Sequence, residues 1–254
     1  MQLADEVHGE GRPIVCLPYF SLAATVTAAA LEPVFAGRSG WQRHYLDLPG
    51  HGAAPPGPGT AAEIVDLIAG RIEAPRFHLA GFSGGGYLAA ALTRRFPDRV
   101  AGLLLVVHGV RFRKEERDLP PDNREPAPEG WLTGVEDTLH GHLSEAIGHR
   151  TPEVAARVAA VVGPRLSRSQ DYLETLRDKG FPLPDELSPL EYDGSALVIT
   201  GRDDLVCGYT DQYTAMARYP RGTFAAVAGA GHYLPFERPE VFTGLVGGWL
   251  DAQR

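Results

Sequence analysis

The sequence predicts an α/β fold: a mostly parallel central sheet flanked by helices, with a helical insertion before its last two strands. Three observations predict it. Short apolar runs alternate with helix-like stretches over the first hundred residues, the pattern of strands joined by crossover helices. Residues 100–107 are a continuous apolar run, as expected for a strand covered on both faces. From residue 110 to 195 strand signals stop and helical spacing takes over.

In chain order, residues 14–17 read as a buried strand after Gly11-Arg12-Pro13. Pro18 to Ser21 make a turn. Residues 22–36 are alanine-rich and partly helical, with Pro33 expected to interrupt the pattern. A second strand is expected over 43–48, ending in Pro49-Gly50-His51-Gly52 and a Pro/Gly loop. Thr60, with Glu63 three residues on, forms a capping box for a helix whose apolar face is 64, 65, 67, 68 and 72. Residues 77–80 are strand-like and Tyr87 to Phe96 helix-like. Within 110–195, residues 110–130 are charged and proline-rich. Helical pieces follow at 133–148, 152–162 and 167–179. The sheet resumes at 196–200 and 223–228. The last helix spans 238–251, with Val241, Phe242, Leu245, Val246, Trp249 and Leu250 as its buried face. Residues 1–109 and 196–254 thus form a core, and 110–195 a cap or lid over the carboxyl edge of its sheet, where open α/β sheets bind ligands.

Composition narrows the function classes. The 254 residues suffice for a sizeable core, and 44% apolar with 22% charged residues is ordinary for a globular chain. A net charge of −8 with no dominant Lys/Arg cluster argues against a nucleic-acid partner. No apolar run approaches the roughly 20 residues that span a membrane, and the first residues carry no signal pattern. A cytoplasmic protein acting on a small molecule is expected. The two cysteines, Cys16 and Cys207, have no metal or redox spacing.

The chemistry is carried by Gly81-Phe82-Ser83-Gly84-Gly85, a G-x-S-x-G between a strand and a helix. That context makes a nucleophile elbow, a turn too tight for side chains at Gly81 and Gly85. A serine hydroxyl needs a base, usually a histidine held by a carboxylate. His232, in a glycine-rich loop after the strand at 223–228, is the candidate base. The acid is Asp203 or Asp204, on the loop after 196–200; an Asx turn or helix cap is the structural alternative there. His108, at a strand end beside the site, is a candidate for the pocket wall. His51 and His78 read as structural. His140 and His142 are two apart on a helix and make a poor zinc pair, and His149 is no stronger; no metal site is expected.

Together these motifs resemble the α/β-hydrolase superfamily over nearly the whole chain. They are Gly81-Phe82-Ser83-Gly84-Gly85, Asp47-Leu48-Pro49-Gly50-His51-Gly52, Gly201-Arg202-Asp203-Asp204-Leu205-Val206 and Gly231-His232. The resemblance implies the α/β-hydrolase fold with a helical cap, and an acid loop reading G-x-x-D, which selects Asp204. It also implies an oxyanion hole from the backbone N–H groups of Gly84 and of Phe20. Where the superfamily often has His-Gly-x, this chain has Pro18-Tyr19-Phe20. That departure leaves Tyr19 two roles, a phenol offered to substrate or simple packing.

The expected activity is a serine hydrolase, carboxylic ester hydrolase-like, cleaving a small ester, thioester or lactone through Ser83, His232 and Asp204. No metal or organic cofactor is required. The superfamily's other uses of such a triad are C–C bond hydrolysis, lyase chemistry and acyl transfer or cyclisation in biosynthesis. A non-catalytic ligand-binding protein on the same fold is the alternative from another class.

Overall fold

The computed structural model describes residues 3–190 and 192–253. Its sheet contains β1 (Ala4–His8), β2 (Arg12–Leu17), β3 (Trp41–Asp47), β4 (Phe77–Phe82), β5 (Val100–Val106), β6 (Ser195–Gly201) and β7 (Gly222–Val227). Their spatial order is β1-β3-β2-β4-β5-β6-β7. β1 runs antiparallel to β3; every other neighbour pair is parallel. This is the expected mostly parallel sheet, with one strand that the sequence pattern did not reveal. β1 lies at an edge with Val7 exposed, so it has no apolar face to read.

The flanking helices are α1 (Ala24–Phe35), α2 (Ala61–Arg71), α3 (Gly84–Arg95) and α9 (Pro239–Ala252). Alternate strand residues divide between two cores. Ile14, Cys16, Ala80 and Leu104 pack with Leu31 of α1 and Phe242 of α9. Val15, Leu17, Leu79 and Leu105 pack with Ile68 of α2 and Leu88 of α3. This alternation follows from the two-residue period of a strand.

Two local readings need correction. Pro33 lies inside α1 and does not interrupt it. It falls in the last turn, so its missing N–H removes a single bond from a helix about to end. Val241 is exposed on α9, whereas Phe242, Val246, Trp249 and Leu250 are buried as expected. Thr60 caps α2 as expected: the Glu63 amide donates to Thr60 Oγ1 at 3.3 Å, while Glu63 Oε2 accepts from the Thr60 hydroxyl at 2.7 Å.

Between β5 and β6 the chain forms α4 (Asp137–Ala146), α5 (Pro152–Val162) and α6 (Gln170–Thr175), the last continuing as a wider turn over Leu176–Gly180. Their apolar residues join the sheet's two cores. Leu143 and Val158 enter one, Leu173 and Phe181 the other. The remaining α-helices among the described residues are the short α7 (Thr210–Thr214) and α8 (Leu234–Glu237).

Candidate active site

Because β2 and β4 to β7 are parallel, their carboxyl ends share one edge, and the loops leaving that edge carry the candidate residues. β4 ends at Phe82 and α3 starts at Gly84, so Ser83 alone makes the turn. Its φ is 51°, in the left-handed region that a side chain disfavours by roughly 1–3 kcal/mol. The strained turn is held from both sides. The Ser83 amide donates to Val106 O at 3.0 Å, and the Gly109 amide donates to Ser83 O at 3.3 Å. No larger residue fits at Gly81 or Gly85. A Cβ on Gly81 would lie 2.6 Å from both Gly85 O and Gly86 Cα, and one on Gly85 would lie 2.6 Å from Leu17 O.

The three sequence candidates meet here. His232 Nε2 lies 2.9 Å from Ser83 Oγ, and His232 Nδ1 lies 3.0 Å from Asp204 Oδ2. A carboxylate oxygen accepts, so Nδ1 carries hydrogen and Nε2 is left to accept the serine proton. Asp204 Oδ1 accepts from the amides of Val206 at 2.8 Å and Cys207 at 3.0 Å, which fixes the carboxylate plane. Exposure is 8% for Ser83, 4% for His232 and 0% for Asp204. Asp203 is half-buried, and its amide donates to Ala230 O at 2.9 Å.

Ser83 and His232 open onto a cavity of about 600 Å³. Tyr19, Phe20, Leu22, Phe112 and Val206 supply apolar wall. Arg113, Lys114 and Arg177 line it too, and all three are exposed. Lys114 pairs with Glu145 of α4, another lining residue, and the Arg177 guanidinium sits 4.9 Å from the Phe20 ring centre. The backbones of Phe20 and Gly84 approach closely: a Cβ on Gly84 would be 3.4 Å from the Phe20 nitrogen. Gly84 opens α3, so its N–H has no acceptor within the helix.

Tyr19 is buried, with its ring 5.6 Å from those of His232 and Tyr233 and 5.5 Å from that of Phe82. Burial pushes its phenol well above the usual range, and its hydroxyl has no hydrogen-bond partner among the described residues. His108 is placed elsewhere. It is buried behind α3, its Nδ1 donates to Gln212 Oε1 at 3.1 Å, and it lines a separate cavity of about 10 Å³. A Cβ on Gly86 would run into the His108 side chain, so the ring is packed against the elbow from behind. Burial holds it neutral, lowering it to about 3.

Two lining residues carried no signal in the sequence. His142 of α4 is exposed, lines the cavity and lies 2.6 Å from the Tyr233 hydroxyl. Only the docking of α4 on the sheet edge brings it there. Cys207 also lines the cavity; burial, then the Asp204 charge, pushes its thiol up to about 12. Asp204, Cys207 and His232 have ligating atoms within 4.8 Å of one another, the set that could hold a metal among the described residues. Two of the three are already bonded to each other.

Known proteins share this architecture. The crystal structure of an alpha/beta superfamily hydrolase from Oenococcus oeni PSU-1 superposes with a TM-score of 0.88 over 100% of this chain and 99% of that one, at 24% identity. A thermophilic esterase from Thermogutta terrifontis gives 0.74 over 99% and 93%, also at 24%. At that identity the likeness is one of fold. In sequence the chain is 26% identical over 186 residues to a pimeloyl-[acyl-carrier protein] methyl ester esterase of Shewanella sp. (strain MR-7), covering 72% of this chain and 64% of that protein. It is 36% identical over 117 residues to the protein of the same name from Chromobacterium violaceum, covering 46% and 44%. The chain thus spans less than two thirds of the length of these curated relatives. A family model described as "Alpha/beta hydrolase family" matches residues 7–245, from the first edge strand to the last helix, and by that match the chain belongs to the alpha/beta hydrolase family.

Proposed function

We propose that this protein is a serine hydrolase that cleaves a small ester, thioester or lactone. One observation carries the reading: the hydrogen-bonded chain from Ser83 Oγ through His232 to Asp204 at the wall of a cavity of about 600 Å³. Ser83 attacks the carbonyl carbon while Nε2 of His232 takes its proton. Asp204 holds the imidazole and stabilises its charged form. The amides of Phe20 and Gly84 receive the oxyanion, with the start of α3 favouring negative charge. His232 returns the proton to the leaving oxygen, sulfur or ring oxygen. It then activates a water that attacks the acyl-serine and frees the acid and Ser83.

Residues 110–195 act as the cap, and their side chains select the acyl group. The apolar wall suits an acyl chain. The names of the Shewanella and Chromobacterium relatives place a methyl ester of a carrier-bound acyl chain among the substrates to try. A protein described as an N-acyl homoserine lactone degrading enzyme, 25% identical at a TM-score of 0.70, adds a lactone to that panel.

The test is labelling by a fluorophosphonate probe, followed by a panel of short p-nitrophenyl esters, thioesters and lactones. Wild type is expected to label and turn over at least one ester. Ser83→Ala is expected not to label, with turnover lower by about 10⁴-fold or more. A folded wild-type protein that neither labels nor turns over any member would overturn the reading.

A further inference from the structure

Glu237 is a buried carboxylate that the mechanism above does not use. It is 3% exposed at the end of α8. Its two oxygens accept four backbone amides. Oε2 takes those of Gly148 at 2.8 Å, His149 at 2.8 Å and Gly231 at 3.0 Å. Oε1 takes that of Tyr233 at 3.1 Å. Gly231 and Tyr233 are the two neighbours of His232. Gly148 and His149 belong to the segment that follows α4.

The last residue of α4 grips His232 directly, because the His232 amide donates to Ala146 O at 2.7 Å. The two backbones are in contact with no side chain between them. A Cβ on Gly148 would lie 2.5 Å from the Gly231 nitrogen and 2.6 Å from the Ala230 carbonyl carbon. Three consecutive peptides of the histidine loop are therefore fixed by two acceptors, the Glu237 carboxylate and the Ala146 carbonyl. A neutral acceptor at 237 could not serve four donors equally well. Glutamine has one carbonyl oxygen, and its amide group would face an N–H instead of receiving it. A buried amide left without an acceptor is costly, so the two loops would shift to relieve it.

We propose that Glu237 is a positioning residue for His232. Its carboxylate locks the loop that carries the base to the start of the 147–151 segment, so that the imidazole is held between Ser83 and Asp204. The proposal rests on the reading of Ser83, His232 and Asp204 as the reacting group. It makes the helical insertion part of the catalytic geometry, in addition to being the cover of the cavity.

The experiment compares wild type with Glu237→Gln by steady-state ester hydrolysis and by proton NMR of the His232 Nδ1 hydrogen. A base displaced by even an ångström loses about 10²-fold in rate. The expected result for E237Q is a kcat lower by about that factor, an unchanged KM, and loss or broadening of the low-field Nδ1 signal. A merely structural role would lower Tm while leaving kcat per folded molecule and the NMR signal intact, and that outcome overturns the proposal. If E237Q does not fold, the same two readings on Glu237→Asp decide, because the shorter side chain draws the carboxylate back from the four amides; wild-type kcat and signal again overturn the proposal. Should folded wild type show no turnover at all, the hydrolase reading fails. The NMR comparison then still decides whether Glu237 orients His232.

Discussion

The sheet's carboxyl edge and the helical segment over it are held by different kinds of bond. At the edge, backbone meets backbone. The elbow is locked between Val106 O and the Gly109 amide, Gly81 and Gly85 admit no Cβ, and Asp204 is oriented by two amides. The segment between β5 and β6 is fastened mainly by side chains reaching carbonyls. Within the segment, Arg124 donates to the carbonyls of Ser144, Glu145 and Ile147 at the end of α4. Arg157 of α5 donates to Phe236 O at 2.9 Å, and the Tyr172 hydroxyl of α6 donates to Pro58 O at 2.7 Å. Arg117 bonds the carbonyls of Arg111, Phe112 and Val206. A backbone frame tolerates few changes and keeps reacting groups in one geometry. A segment fastened by side chains can vary its lining while its attachments stay. Two stretches are exceptions: 146–149 joins the histidine loop through backbone contacts, and 165–167 pairs with residues 21–23, where the Ala23 amide donates to Arg165 O at 3.0 Å and the Ser167 amide to Ser21 O at 2.8 Å.

The largest expected break is on the sheet side. Asp204→Asn removes the acceptor that sets the His232 tautomer, and kcat should fall by about 10⁴-fold. Asp203→Asn, one residue away and facing elsewhere, should leave kcat near wild type. Steady-state kinetics on both variants checks this, and a greater loss at Asp203 would sink the assignment.

Glycines sharpen the contrast in stability. Gly85→Ala sets a methyl against the carbonyls of Leu17 and Pro18, and overpacking of this kind costs about 1–3 kcal/mol or more. Gly141 lies on α4 with nothing within 4 Å of an added Cβ. Gly141→Ala should stabilise by up to about 1 kcal/mol, through helix propensity. Thermal melts of the two variants should therefore move in opposite directions.

A last expected effect is a pH dependence from two buried histidines. Burial lowers His78 to about 4 and His108 to about 3, both below the ordinary 6.5. The unfolded chain then takes up these protons first as pH falls. Their contribution is complete above about 6.5 and drains away as pH drops towards 4 and 3. Urea midpoints measured across that window should decline, and less steeply in His108→Gln. An equal slope in the variant would show that His108 is not a source of the decline.

Legibility differed between the two regions as their bonding does. Six of the strands and the flanking helices were readable, because alternating periods and continuous apolar runs report burial directly. β1 was not, since an edge strand with an exposed Val7 has no apolar face. That Ser83 and His232 sit on loops after strand ends was readable from glycines and apolar runs. Asp204 was separated from Asp203 only by likeness to known hydrolases. Misplacing His108 and overlooking His142 and Cys207 have one cause: a strand end or a helix position says which element a residue is on, not which way that element faces.

The sequence by itself determined the parallel sheet, the elbow and the order of serine, acid and histidine, because hydrophobic period and glycine placement are local properties. Only the tertiary structure decided which side chains line the cavity, and that one carboxylate, Glu237, binds the histidine loop to the segment after α4. Those contacts join residues distant in sequence or set the direction of a single side chain, and neither leaves a periodic trace along the chain.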